Sequence, residues 1–291
     1  MFKKFTNGCV KLVQRFLPDA FVFCIILTIV VFIAAMPVAG MNPIEVANAW
    51  GSGVWGLLAF SMQMALVLVL GTAMATAPPV KRLLDKIAGV AKTPFSAIVL
   101  VTVVGTVASW LNWGFGLVVG ALLAKSIAKK VKGVDYRLLI ASAYSGFVVW
   151  HAGLSGSIPL TITEVTEAVT AATGGALTES IGMDRTVLSP WNLIACLIIL
   201  ILMPLLNAKM HPAANEVVTV DPKLLVEEEV TVRKASTPAE KLEDCKPLSW
   251  LVVIIGVVYL VQYFAAAGNP LNALNLNIVN LIFLVLGVLL N

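Results

Sequence analysis

The sequence predicts an all-α polytopic membrane protein. Of its 291 residues 59% are hydrophobic and only 12% charged, with a mean hydropathy of +0.94. A water-soluble domain cannot hide that much apolar surface. The apolar runs are long enough for helical spans, and the short alternating strands of a transmembrane barrel are missing. Two segments, Trp110-Leu111-Asn112-Trp113-Gly114-Phe115-Gly116 and Trp150 to Pro159, then set polar residues and glycine where a span should be uniformly apolar. Irregular backbone at that depth is tolerated only where it faces protein or a watery cavity, so such breaks point to a transport site.

The elements follow in chain order. Phe2, Phe5, Cys9, Leu12, Val13 and Phe16 recur at helical spacing with Lys3, Lys4, Lys11 and Arg15 between them, which predicts an interfacial helix ahead of the first span. The apolar run behind it is too long and starts too late for a secretory signal. Spans are expected at about Asp19 to Ala39, Val54 to Thr76, Ser189 to Asn207, Leu248 to Ala267, and Ile278 to the end. Residues 95–128 carry the first anomalous segment and residues 136–163 the second. The stretch from 208 to 247, with Glu227-Glu228-Glu229, Arg233-Lys234 and the Ser236-Thr237-Pro238 turn, reads as a cytoplasmic linker between residues 1–207 and the second transmembrane repeat beginning at 248.

Positive charge sets the orientation, because cytoplasmic loops retain lysine and arginine. Clusters lie before the first span, at Lys81 to Lys92, at Lys125 to Arg137, and after Asn207; of the 20 basic residues only Arg185 falls elsewhere. The N-terminus is therefore expected in the cytoplasm. Two of those clusters bracket residues 95–128, so that stretch must enter and leave on one side. Its two arms, Phe95 to Trp110 and Phe115 to Ala128, are each about 15 residues or roughly 22 Å, short of the ~30 Å hydrocarbon core. A re-entrant hairpin with Asn112 to Gly116 at its tip fits. A tight helical hairpin anchored at the outer interface by Trp110 and Trp113 is the alternative.

The second segment reads as one crossing interrupted at residues 151–157, where Gly153, Gly156 and Pro159 remove helix support. Close packing through small residues would explain part of this pattern. An unwound stretch would also expose amides together with the hydroxyls of Ser155 and Ser157. The predicted membrane interior holds no Asp, Glu, Lys or Arg, so half-helix N-termini and their free amides would do the recognising, and they suit a carboxylate. Trp110, Phe115 and Leu154 would wall a short alkyl chain, with Asn112 donating to the anion or helping to hold a cation. Gln63 is expected as an interhelical hydrogen-bond partner. Cys9, Cys24, Cys196 and Cys245 have no metal-ligand or disulfide spacing, and no Walker-type loop appears.

The run Asn-Trp-Gly-Phe-Gly-Leu-Val-Val-Gly-Ala at 112–121 resembles that of the bacterial short-chain fatty acid transporter family. Leu17-Pro18-Asp19, Met62-Gln63-Met64-Ala65, Ala91-Lys92-Thr93-Pro94, Leu154-Ser155-Gly156-Ser157-Ile158-Pro159, Asp221-Pro222-Lys223-Leu224-Leu225 and Val279-Asn280-Leu281 extend the resemblance over nearly the whole chain. It implies a secondary carrier of butyrate- or acetoacetate-like monocarboxylates in the bacterial inner membrane, coupled to H+ or Na+ and needing no other cofactor. The implied fold is elevator-like, within the ion-transporter superfamily, pairing a re-entrant hairpin and a discontinuous helix with inverted copies of both. Asn112, Trp113, Gly114 and Gly116 at the hairpin tip, with Ser155, Gly156 and Ser157 at the helix break, are the implied substrate-binding residues. No catalytic or metal-ligating residue is assigned, and no nucleic-acid partner is expected.

Two departures from that family accompany the match. His151 and Ala152 stand where a more glycine-rich run belongs. Family members also continue past residue 291 with a second hairpin and broken helix, so the chain is expected to be a C-terminally shortened carrier that does not transport alone. Assembly as a homodimer and a structural or regulatory role are the alternatives for a short chain. Gly153-Leu154-Ser155-Gly156 also matches the G-x-S-G pattern of rhomboid-like intramembrane proteases. That chemistry needs a histidine from another helix, and His151 lies on the same segment while His211 lies in a loop.

Overall fold

The computed structural model describes residues 2–225, 237–243, 245–271 and 273–291, and among them every regular element is a helix. Six helical stretches of those residues are long and apolar enough to cross a membrane. The chain divides into two compact units, Met1–Phe60 and Ser61–Asn291.

In the first unit, α1 (Phe2–Phe16) is the expected lead-in helix. The carboxylate of Asp19 then accepts the Phe21 N–H at 2.9 Å and opens α2 (Ala20–Ala39), which closes on Gly40 at φ 67°. Such a left-handed cap is where glycine is cheapest. No residue of α2 is buried within the chain, so its surface of Phe, Ile, Val and Leu is left for lipid. An unanticipated helix, α3 (Pro43–Gly53), follows, begun by a capping box in which Asn42 and Glu45 satisfy each other's backbone N–H groups. Asn-Pro-Ile-Glu was the signal for it. Residues 54–57, expected as the start of the second span, form one 3-10 turn.

The second unit contains most of α4 (Leu58–Thr76), followed by α5 (Pro78–Ala88), α6 (Pro94–Leu111) and α7 (Trp113–Lys130). The helices α6 and α7 are each 18 residues, about 27 Å long. They outrun the arms read from the sequence and meet at one residue, Asn112, because Thr93, Pro94 and Ser96 start α6 early and the Asn112 cap starts α7 at once. Next come α8 (Tyr136–Ser145), the five-residue α9 (Ser157–Thr161), α10 (Glu167–Ala172) and α11 (Pro190–Lys209). Finally, α12 (Pro238–Glu243), α13 (Lys246–Ala266) and α14 (Leu276–Leu290) complete the chain.

The core of this unit forms where α5, α6, α7 and α8 pack, around Ile98, Val101, Leu123, Ile127 and Leu139. Gly105 lets α8 approach α6, for a Cβ there would sit 2.8 Å from the Ala143 carbonyl oxygen. After α11 the chain is tied back onto the start of α8. Val218 N–H donates to Asp135 Oδ2 at 2.8 Å, Tyr136 N–H to Val218 O at 2.9 Å, and Asp135 N–H to His211 Nε2 at 3.1 Å. The acidic Glu227 to Glu229 run, Arg233, Lys234 and Ser236 of the expected linker lie outside the described residues.

Candidate functional site at two helix breaks

The hairpin tip is built around Asn112, which is completely buried and extended in backbone (φ −154°, ψ 124°). Its side-chain oxygen accepts the Phe115 N–H at 2.9 Å, capping α7, while its carbonyl accepts Gly116 N–H at 2.8 Å. Glycine at 114 is required by contact rather than by φ: a Cβ there would lie 2.8 Å from both Leu68 Cα and Val67 O of α4. Gly71 of α4 makes the reciprocal approach to the Gly114–Phe115 peptide. The tip is thus seated directly on the α4 backbone.

In the second segment α-helix gives way earlier than expected, at Ser145. A 3-10 stretch covers Gly146–Ala152 and irregular backbone covers 153–156 before α9. Gly146 abuts the Gly105–Thr106 peptide and Gly153 abuts the Trp110 carbonyl. These two close approaches coincide with the loss of regular helix, which glycine supports weakly. Asn192 of α11 braces the break by donating from Nδ2 to Ala152 O at 2.9 Å and Val187 O at 2.7 Å.

The two breaks touch. Leu154 N–H donates to Trp110 O at 2.7 Å, and Trp113 N–H donates to the fully buried Ser155 Oγ at 2.9 Å. Of the seven predicted site residues, Trp113 and Ser155 are joined directly, Asn112 caps the same turn through the Phe115 N–H, and Gly114 and Gly116 shape the tip. Ser157 instead points its hydroxyl to Met64 Sδ at 3.5 Å, and Gly156 packs on the His151 carbonyl.

These bonds alter where an anion could be held. The Trp113 and Phe115 amides of the first turn of α7 are already taken by Ser155 and Asn112, and α9 has only five residues, too few for the aligned dipole of a longer helix. Two side-chain donors at the tip, Asn112 Nδ2 and Trp113 Nε1, are buried without a partner among the described residues. A buried N–H left unmade is costly, and each such group calls for an explanation. Beside the tip lies an apolar cavity of about 280 Å³, lined by Leu111 and Phe115 of the hairpin, Leu154 of the break, Met74 of α4, and Val279 and Phe283 of α14 among others. Phe115 and Leu154 were expected walls and are found there; Trp110, also expected, does not line the cavity.

Trp113 also packs edge-on against Phe147 and Trp150, which stack 5.2 Å apart. His151 is exposed and lies against Trp150, with 3.7 Å between ring centroids. Gln63 does link helices, donating from Nε2 to Asn277 Oδ1 of α14 at 2.7 Å, while Asn280 Nδ2 donates to its carbonyl at 3.2 Å. Sequence reasoning missed Gly71, Asn192 and Asn280; the two asparagines are amides inside apolar helices, a signal that was there to be read. No group of three or more His, Cys, Asp or Glu able to hold a metal occurs among the described residues.

A family model described as "Short chain fatty acid transporter" matches residues 1–291. A protein of Escherichia coli (strain K12) named "Putative short-chain fatty acid transporter" is 40% identical over 298 residues, covering 100% of this chain and 65% of its own length. One of the same name from Haemophilus influenzae (strain ATCC 51907 / DSM 11121 / KW20 / Rd) is 38% identical over 305 residues, covering 100% of this chain and 66% of its own. This chain therefore spans about two thirds of the length of the relatives it matches. No solved structure matches it.

Proposed function

Because the chain belongs to the short-chain fatty acid transporter family, we propose that its two helix breaks form a binding site for a short-chain monocarboxylate of the butyrate or acetoacetate kind. The carboxylate takes the Asn112 Nδ2–H and Trp113 Nε1–H donors, and the alkyl chain enters the apolar cavity between the hairpin tip, Leu154 and α14. The reading is carried by the fully buried Asn112 amide, whose donor has no partner among the described residues and whose chain neighbour Leu111 walls that cavity. A charge-assisted hydrogen bond at such a depth is stronger than a neutral one.

In this reading α6 and α7 form a re-entrant hairpin, and the broken segment over residues 136–163 is a discontinuous crossing of an elevator-like secondary carrier. Coupling is to H+ or Na+. The setting is the bacterial inner membrane with the N-terminus in the cytoplasm, for which the distribution of lysine and arginine is the support.

Binding of radiolabelled butyrate to the purified chain in lipid nanodiscs tests the assignment. Asn112→Ala should weaken binding by about 1.5–3 kcal/mol, at least roughly tenfold. Ser155→Ala should also weaken it, because Ser155 Oγ holds the Trp113 backbone and so positions the indole donor. Thermal unfolding of both variants establishes that they remain folded. Unchanged binding in both would remove these residues from the site.

A further inference from the structure

We propose that the outward face of α5 is a binding surface for the phosphate headgroups of anionic phospholipid. The helix connects α4, long and apolar enough to cross a membrane, to α6, the first arm of the hairpin, so α5 lies where both apolar helices end. One stripe of it, Val80, Leu84, Ile87 and Ala88, packs into the core with α7. The opposite stripe exposes Arg82, Leu83 and Lys86, continuing to Val90. Leu83 is 55% and Val90 70% exposed, so two cations and two large apolar side chains share one surface.

That mixture decides the environment. Facing water alone, Leu83 and Val90 would stay hydrated; facing hydrocarbon, Arg82 and Lys86 would be charges in oil. Only the headgroup layer suits both, with apolar side chains at the acyl boundary and cations among phosphates. The helix's own acid, Asp85, is exposed too and offsets one charge, but its carboxylate accepts the Ser126 hydroxyl and its carbonyl accepts the Lys130 ammonium. Neither Arg82 nor Lys86 makes an ion pair, with it or otherwise, among the described residues. Unpaired cations beside apolar side chains favour an anionic lipid over a zwitterionic one. Since Asp85 also fastens α5 to α7, the bound headgroup layer holds the base of the hairpin that carries Asn112.

Native mass spectrometry of the delipidated full chain, titrated with phosphatidylglycerol or phosphatidylcholine, tests this surface. The wild type should prefer phosphatidylglycerol, and Arg82→Gln/Lys86→Gln should reduce that preference by at least roughly fivefold. Lys209→Gln/Lys223→Gln, which removes equal charge elsewhere, should leave it unchanged. Equal loss in both variants would assign the preference to the overall field of the protein and overturn the proposal. So would displacement of the lipid by millimolar inorganic phosphate, which would make this a site for the free anion. Unaltered lipid binding with loss of a dimer in the α5 variant would assign the face to a second copy and overturn it too. Thermal unfolding confirms that each variant is folded.

Discussion

Asn112 caps one helix with its oxygen and leaves its nitrogen unspent, and the glycines around it permit that arrangement through close contact. Gly114→Ala would push a Cβ to 2.8 Å from backbone atoms of α4 that cannot swing aside. It should destabilise the protein by about 1–3 kcal/mol in thermal unfolding. Gly51→Ala in α3, where nothing lies within 4 Å, should instead stabilise by about 0.5–1 kcal/mol. The same sign for both would contradict the contact argument. Asn112 and Ser155 were legible in the sequence because polar residues stand out inside apolar runs. That Ser155 would accept a bond from the Trp113 backbone was not, since the partners lie 42 residues apart and local pattern says nothing about such a pairing.

At the scale of elements, hydropathy located the apolar helices to within a few residues, but α14, expected as a span, has only 15 residues, and α6, expected as a hairpin arm, is long and apolar enough to cross. Periodicity could not place the 3-10 stretch at Gly146–Ala152, which is bounded by close approaches, between residues far apart in sequence, of Gly146 to α6 and of Gly153 to the Trp110 carbonyl. Nor could composition reveal that part of the polar segment after α11 is tied down by the start of α8. Burial pushes the Asp135 carboxyl up, but N–H donors from Val218 and Leu138, together with Arg137, outweigh it and hold the group below the usual carboxylate range. A carboxylate depressed in the folded state stabilises fully above its unfolded value, near 3.9, and loses that contribution as pH falls through the lower native value. Asp135→Asn should therefore cost about 1–3 kcal/mol at neutral pH, and the gap to wild type should close below about pH 3.9. A gap that stays constant into acid would show that the charge is not what matters.

For the whole molecule, composition gave the class and the motifs gave the family, whereas the arrangement of the site needed coordinates. The sequence suggested free helix-end amides as the anion holders. In the folded chain two of those amides are already used, while two buried side-chain donors of the tip have no partner among the described residues and the flanking Leu111 and Phe115 wall an apolar cavity. Nuclear magnetic resonance of the chain labelled with ¹⁵N at asparagine, with the Asn112 side-chain signal identified by its loss in Asn112→Gln, reads the Asn112 donor directly. Saturating butyrate should move the Asn112 Nδ2–H resonance downfield while butanol, which has the chain but no carboxylate, leaves it in place. An Asn112 signal unmoved by butyrate, or moved equally by butanol, would contradict the carboxylate site.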